Sequence, residues 1–193
     1  MDTLRTLTTL FPLALTSGIN LYATVLIVGL CVRFDWVEGI PPSLDPLGSW
    51  VVIILAAVLY VVEFIVDKFD FFDNIWDVVH TLIRPVAVVV ISAAALWNAD
   101  PIVLIVGCLL AGSTTLTVHG SKAGSRVMIS TTGEPVSTVV VSLGEDGLAI
   151  ALAWFALVHP IVASVFAGVL LVLAVLLLVL LWRKWKGRKA RAS

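Results

Sequence analysis

The sequence predicts an all-α integral membrane protein: about six transmembrane helices, some of them interrupted, and one short amphipathic helix. Three observations carry this. First, 60% of the 193 residues are hydrophobic and only 13% are charged, whereas a soluble domain is nearer half apolar and a quarter charged. Second, apolar runs of about 20 residues recur, the length that crosses a hydrocarbon core of roughly 30 Å. Third, Lys and Arg are unevenly shared between the two sets of connections, as in proteins with a cytoplasmic face.

The first run, Leu7 to Val32, is interrupted at Thr16-Ser17-Gly18-Ile19-Asn20. Such residues either pack closely against a neighbouring helix or break the span and leave a half-helix end facing a cavity. Asn20 is a candidate donor to a ligand or to another helix. A polar connector follows from Arg33 to Pro46, with Asp35, Glu38, Asp45 and Pro41-Pro42. Gly48 to Val66 is the second span. After a turn at Lys68 to Phe72 comes an amphipathic helix, Asp73 to Ile83, with Asp73 as a candidate cap. Through Pro85 it joins a third, kinked span, Ile75 to Trp97. Asn98-Ala99-Asp100-Pro101 is a tight turn.

The fourth span, Ile102 to Val118, carries Ala111-Gly112-Ser113-Thr114-Thr115 and leads into a polar segment, His119 to Pro135. The fifth, Val136 to Val158, is interrupted by Gly144-Glu145-Asp146-Gly147, and the sixth, Ile161 to Trp182, is unbroken. Residues 1–185 therefore read as one transmembrane domain and 186–193 as a basic, disordered cytoplasmic tail. Small-polar breaks in the first and fourth spans suggest an inverted repeat of three-span halves. Six crossings put both termini on one side. That side holds eleven Lys and Arg against Arg33 alone, which predicts cytoplasmic termini.

Ionisable residues at membrane depth usually mark a site or a pairing network. Glu63, Asp67 and Asp70 share one helical face, as do Asp73, Asp77, His80 and Arg84. Two such faces packed antiparallel can hold a cation, relay protons, or lock two helices by salt bridges. His119, Lys122 and Arg126 also share a face if helical. They can bind lipid head groups or another anion, or pair with the acids of the hairpin, or express only the charge bias of a cytoplasmic face. Glu145 and Asp146 interrupt a span where each charged side chain costs roughly 2.5–3.5 kcal/mol near the helix centre. They need a wet cavity, a basic partner such as Lys122 or Arg126, or the interface.

Other classes are disfavoured. The net charge of −1 offers no field for nucleic acid. There is no phosphate loop, nucleophile elbow or His-Glu-x-x-His motif, and no enzyme activity or cofactor is expected. Cys31 and Cys108 sit in apolar runs without metal-ligand spacing. The segments Gly18 to Tyr22 (GINLY), Val62 to Lys68 (VEFIVDK), Trp76 to Pro85 (WDVVHTLIRP) and Lys122 to Arg126 resemble an uncharacterised bacterial multi-span membrane family, domain of unknown function 4126. The resemblance implies an integral membrane protein and no activity. The leading expectation is a small carrier or channel of the bacterial inner membrane, cation- or proton-coupled, surrounded by lipid and able to dimerise. The alternative is a non-transporting protein that binds lipid head groups or scaffolds partners.

Overall fold

The computed structural model describes residues 3–130 and 135–192, without the side chains of Asp70, Phe71, Asp73, Asn74, Ile129, Ser130, Trp185 and residues 135–138 and 187–192. Among the described residues there is no strand. Helices run α1 Thr3–Ile19, α2 Leu21–Arg33, α3 Trp50–Val66, α4 Asp70–Ala95, α5 Pro101–Ser130, α6 Pro135–Val158 and α7 Pro160–Ala192, with a 3-10 turn at Pro42–Gly48.

The first apolar run does not cross the membrane as one helix. It folds into a hairpin. Thr3 and Thr6 share a cavity with Ala95, Leu96, Asn98 and Ala99, and Ser164 Oγ donates to the Thr8 carbonyl at 2.7 Å. So α1 starts where α4 stops and α7 begins, the Trp97 end of the bundle. It then runs beside α5, where Thr115 Oγ1 donates to the Ala14 carbonyl at 2.8 Å. The chain turns at Asn20, and α2 goes back. Tyr22 meets His80, Thr24, Val25 and Val28 share a cavity with Val88, Ile91 and Ser92, and the residues after α2 return to the Trp97 end, with Trp36 beside Trp154 and Glu38 beside Arg5. A 17-residue helix such as α1 is about 25 Å long, short of a core of roughly 30 Å. The α1–α2 hairpin is therefore re-entrant, with its tip inside the protein.

Local chemistry explains the turn. Asn20 is extended, at φ −147° and ψ 105°, and its side-chain oxygen accepts from the Ala23 amide at 2.9 Å, capping α2. Gly18 lets the tip approach α5: a Cβ there would lie 2.8 Å from the Thr115 carbonyl oxygen. Alanines that are fully buried on α6 and α7, Ala149, Ala153, Ala156, Ala163 and Ala167, let α1 nest against both.

This alters the expected topology. Four helices, α4 to α7, are long and apolar enough to cross a membrane, and the 3-10 turn with α3, bent by 65°, forms either a broken span or a re-entrant loop. Helices α3 to α7 alternate in direction. α7 starts beside Thr8 and passes Ser121, whose Oγ donates to the Ala174 carbonyl at 2.9 Å, so Thr3 and Ala192 lie at opposite ends of the bundle, not on one side. α5 and α6 are continuous through Ala111–Thr115 and Gly144–Gly147, so the two halves do not share matching breaks. The polar segment after Val118 is helix to Ser130, which buries His119, Lys122 and Arg126. The last helix likewise runs through the basic stretch to Ala192, as Lys-, Arg- and Ala-rich sequence readily does.

Candidate functional site

At the tip of the hairpin one helix has ended and the next has barely begun. The carbonyls of Gly18 and Ile19 thus lose their in-helix partners. Both accept from Arg84 Nη1, each at 2.9 Å. Ile19 also accepts from Lys122 Nζ at 3.1 Å. The negative end of a half-helix dipole is here met by a guanidinium and an ammonium. Arg84 sits in the middle of the Ile75–Ala95 span and is fully buried. Its Nη2 donates to Glu63 Oε1, also fully buried.

The pairing spreads from there across α3, α4, α5 and α6. Lys122 Nζ is 3.1 Å from Asp67 Oδ2 and 3.7 Å from both Glu63 Oε1 and Glu145 Oε2. Arg126 Nη2 joins Asp67 Oδ2 at 2.9 Å and Glu145 Oε2 at 2.5 Å. Asn20, whose oxygen caps α2, donates through Nδ2 to Asp146 Oδ1 at 2.9 Å. Lys68 Nζ donates to Ser142 Oγ at 3.0 Å and the Phe64 carbonyl at 2.8 Å, over the Phe64 ring. Ion pairs buried this deeply persist because each partner compensates the other's lost hydration. Asp67, in the turn after α3, shows the balance. Burial pushes its carboxyl up, but Lys122 and Arg126 outweigh this and hold it below the usual carboxylate range.

The two buried histidines stand beside this network. His80 Nδ1 is 2.8 Å from the Trp76 carbonyl. A carbonyl only accepts, so Nδ1 carries the proton and Nε2 accepts from the Tyr22 hydroxyl at 2.8 Å. His119 Nε2 donates to the Asp77 carbonyl at 3.0 Å, with Thr81 Oγ1 at 3.2 Å. Its Nδ1 has no hydrogen-bond partner, and neither do Glu63 Oε2, Asp67 Oδ1, Asp77 Oδ1 and Asp146 Oδ2.

Of the residues the sequence singles out, Asn20, Glu63, Asp67, Arg84, Lys122, Arg126, Glu145 and Asp146 meet in one assembly. Asp77, His80 and His119 lie on its α4–α5 flank. The side chain of Asp73 lies outside the described residues. The acidic and basic candidates, separate in the sequence, are one structure. Sequence reasoning missed the Gly18 and Ile19 carbonyls, Tyr22 as the partner of His80, and Ser142. The Asn20 cap ahead of an apolar run was the available signal for the helix end that exposes those carbonyls. Among the described residues no group of three or more His, Cys, Asp or Glu side chains is placed to hold a metal ion. The acids and imidazoles therefore do not converge as a divalent-cation cage would require.

A bundle of membrane-crossing helices around a re-entrant hairpin, with charges buried at its tip, defines a polytopic helical membrane protein. The chain belongs to the family described as a domain of unknown function, DUF4126, which matches residues 7–180. No curated protein and no solved structure matches it.

Proposed function

We propose that the protein is a small membrane carrier or channel that handles protons or a small cation at the hairpin tip. The observation that carries this reading is the insertion of a broken, re-entrant helix into an acid-rich buried cluster. Non-helical backbone at membrane depth is tolerated where it is buried in protein or lines a cavity, and it typically frames binding sites in transporters. Five carboxyl groups, Glu63, Asp67, Asp77, Glu145 and Asp146, outnumber the bases Lys68, Arg84, Lys122 and Arg126. Four of their oxygens have no hydrogen-bond partner. A buried excess of carboxylate is relieved by taking up a proton or a cation. Glu145, 19% exposed, is the open edge of the cluster.

The side is read from the charges. The six Lys and Arg from Arg183 to Arg191 follow the last crossing, whereas Arg5 and Arg33 lie at the Trp97 end. The positive-inside rule puts the tail end in the cytoplasm of a bacterial inner membrane and the Trp97 end outside. No enzymatic role is proposed: the imidazoles are engaged by a tyrosine hydroxyl, carbonyls and a threonine, not by an acid and a nucleophile.

Reconstituted flux tests the reading. In proteoliposomes with an imposed pH or cation gradient, Asp146→Asn and Asp77→Asn lower flux at least about tenfold if these groups carry the coupling charge, while each variant still elutes as a folded species. Flux of protons and tested cations equal to that of the unaltered protein would remove the proposal. A second reading, a non-transporting protein that binds lipid head groups or scaffolds partners, is favoured by one observation. The ion pairs close on each other, and none of the described cavities is lined by them.

A further inference from the structure

Two cavities are stacked along the same three elements. The wider, about 280 Å³, opens at the Trp97 end and is lined by Thr3, Thr6, Ser43, Asn98 and the end of α4 at Ala95 and Leu96. The narrower, about 20 Å³, lies one turn deeper, among Leu10, Leu13 and Ser17 of α1, Thr24 and Val28 of α2, Leu44 and Leu47 of the 3-10 turn, and Val88, Ile91 and Ser92 of α4. Its volume is room for about one water. Each element steps inward by helical turns: Thr6 to Leu10, Leu13 and Ser17 on α1, and Leu96 and Ala95 to Ser92, Ile91 and Val88 on α4. The inner end stops beside the charged tip, because Ser17 precedes Gly18 and Val88 lies one turn from Arg84. From Thr3 to Ser17 the line is about 21 Å long, most of the way through a hydrocarbon core.

We propose that this line is a water passage through which protons from the Trp97 side reach the carboxylates at the hairpin tip. The inference rests on the carrier reading and gives it a route. Three features fit it. No charged side chain lines either cavity. Hydroxyls occur at each level: Thr6 and Ser43 at the mouth, and Ser17, Thr24 and Ser92 at the neck. A hydroxyl both donates and accepts, as a proton relay through single waters requires. The neck admits a water but not a hydrated metal ion, so the passage discriminates by size. It lies between the arms of the re-entrant hairpin and α4, so water reaches depth without meeting lipid.

The test uses the full-length chain in sealed vesicles, with Cys31 and Cys108, both free thiols, replaced by alanine. Single cysteines are placed at Thr6, Ser17, Ser92 and, as a lipid-facing control, Val90, which is 62% exposed. Aqueous Ag⁺, which is no larger than a water once it sheds its hydration shell, is applied to one side. Blocking is read as loss of maleimide labelling after denaturation. Reaction needs a hydrated thiol, so Thr6→Cys and Ser92→Cys should block at least about tenfold faster than Val90→Cys, and from the Trp97 side only. Equal rates for Ser92→Cys and Val90→Cys, or equal rates from both sides, would overturn the passage. Ser92→Val, which narrows the neck, should also cut proton flux about tenfold in a variant that still elutes as a folded species. Unchanged flux in that variant would overturn the proton role even if the thiols react. Flux without Ag⁺ blocking at these positions would remove the passage and leave the carrier. Ag⁺ blocking in a protein with no flux would leave a water-filled cleft and remove both the proton role and the carrier.

Discussion

Two stretches look alike in the sequence and behave differently. Thr16-Ser17-Gly18-Ile19-Asn20 and Ala111-Gly112-Ser113-Thr114-Thr115 both place small polar residues inside an apolar run. The first ends a helix and reverses the chain. The second stays helical. The difference is in what each stretch offers its backbone. At the first, Asn20 caps the next helix, and Arg84 and Lys122 arrive to take the carbonyls that the turn releases. At the second, the hydroxyls bond back along α5: Thr115 to Ala111 at 2.9 Å, Ser113 to Leu110 at 3.1 Å. A buried backbone group without a partner costs about as much as a lost hydrogen bond or more. A helix inside a membrane protein therefore breaks where replacement donors and acceptors are in place, and small polar residues alone do not break it.

The largest effect expected from this comparison is at Arg84. Arg84→Met strips the cation from Glu63 and the donor from two carbonyls, all in a fully buried setting. Removing one partner of a buried pair typically costs about 3–5 kcal/mol. Thr115→Val removes one hydroxyl on the intact stretch, with its contacts to the Ala14 and Ala111 carbonyls, where interhelical hydrogen bonds average about 0.6 kcal/mol. Thermal unfolding in detergent should show a far larger drop for Arg84→Met. Similar drops for the two would mean that the released carbonyls do not depend on Arg84.

A finer contrast lies in the glycines. A Cβ at Gly18 would sit 2.8 Å from the Thr115 carbonyl oxygen, and one at Gly112 would sit 2.8 Å from Val89 Cγ2. The first neighbour is backbone and moves only if α1 and α5 separate. The second is the tip of a side chain. Overpacking of this kind costs about 1–3 kcal/mol where nothing yields, so Gly18→Ala should destabilise clearly and Gly112→Ala little. Equal melting shifts would sink the claim that close backbone approach at the tip, not glycine itself, is required.

How far the sequence revealed this arrangement follows from the same physics. Apolar run length made the long helices α4 to α7 legible, because lipid imposes that length on any crossing. Glu63, Arg84 and Glu145 stood out as charges in or beside apolar runs and Lys122 as a base of the polar segment after the fourth span, and pairing between these acids and bases was one of the readings open for them. The hairpin was not legible. Leu7 to Val32 is long enough for a full crossing, and hydropathy does not record direction. What reverses the chain is Asn20 together with cations from α4 and α5, and the distant ones, Arg84 and Lys122, are 64 and 102 positions away in the chain. One misplaced crossing then moved the N-terminal end to the wrong side of the bundle. The side proposed for the tail end rests on its charge excess, which does not depend on how many spans precede it. Continuity of α5 was equally hidden, since it depends on whether each hydroxyl finds a carbonyl nearby, and in α6 the partners of Glu145 and Asp146 are the distant Arg126 and Asn20.

The most selective effect, read in the acid limb of stability, concerns Asp67. Its carboxyl holds both Lys122 and Arg126, and Lys122 in turn holds the Ile19 carbonyl. Against burial, which raises it, those cations keep its pKa below the usual carboxylate value. A depressed carboxylate contributes stability that is fully present above the pKa of an unfolded aspartate, about 3.9, and is lost as pH falls through the lower folded value. Stability should thus vary little through this group between neutral pH and about pH 5, then fall in acid as the tip loosens. Asp67→Asn should lower the neutral melting temperature and flatten that acid limb. Acid limbs of equal steepness in the two proteins would show that the tip's cations are held by the other carboxylates, Glu63 and Glu145, and that Asp67 is not the anchor of the released carbonyl.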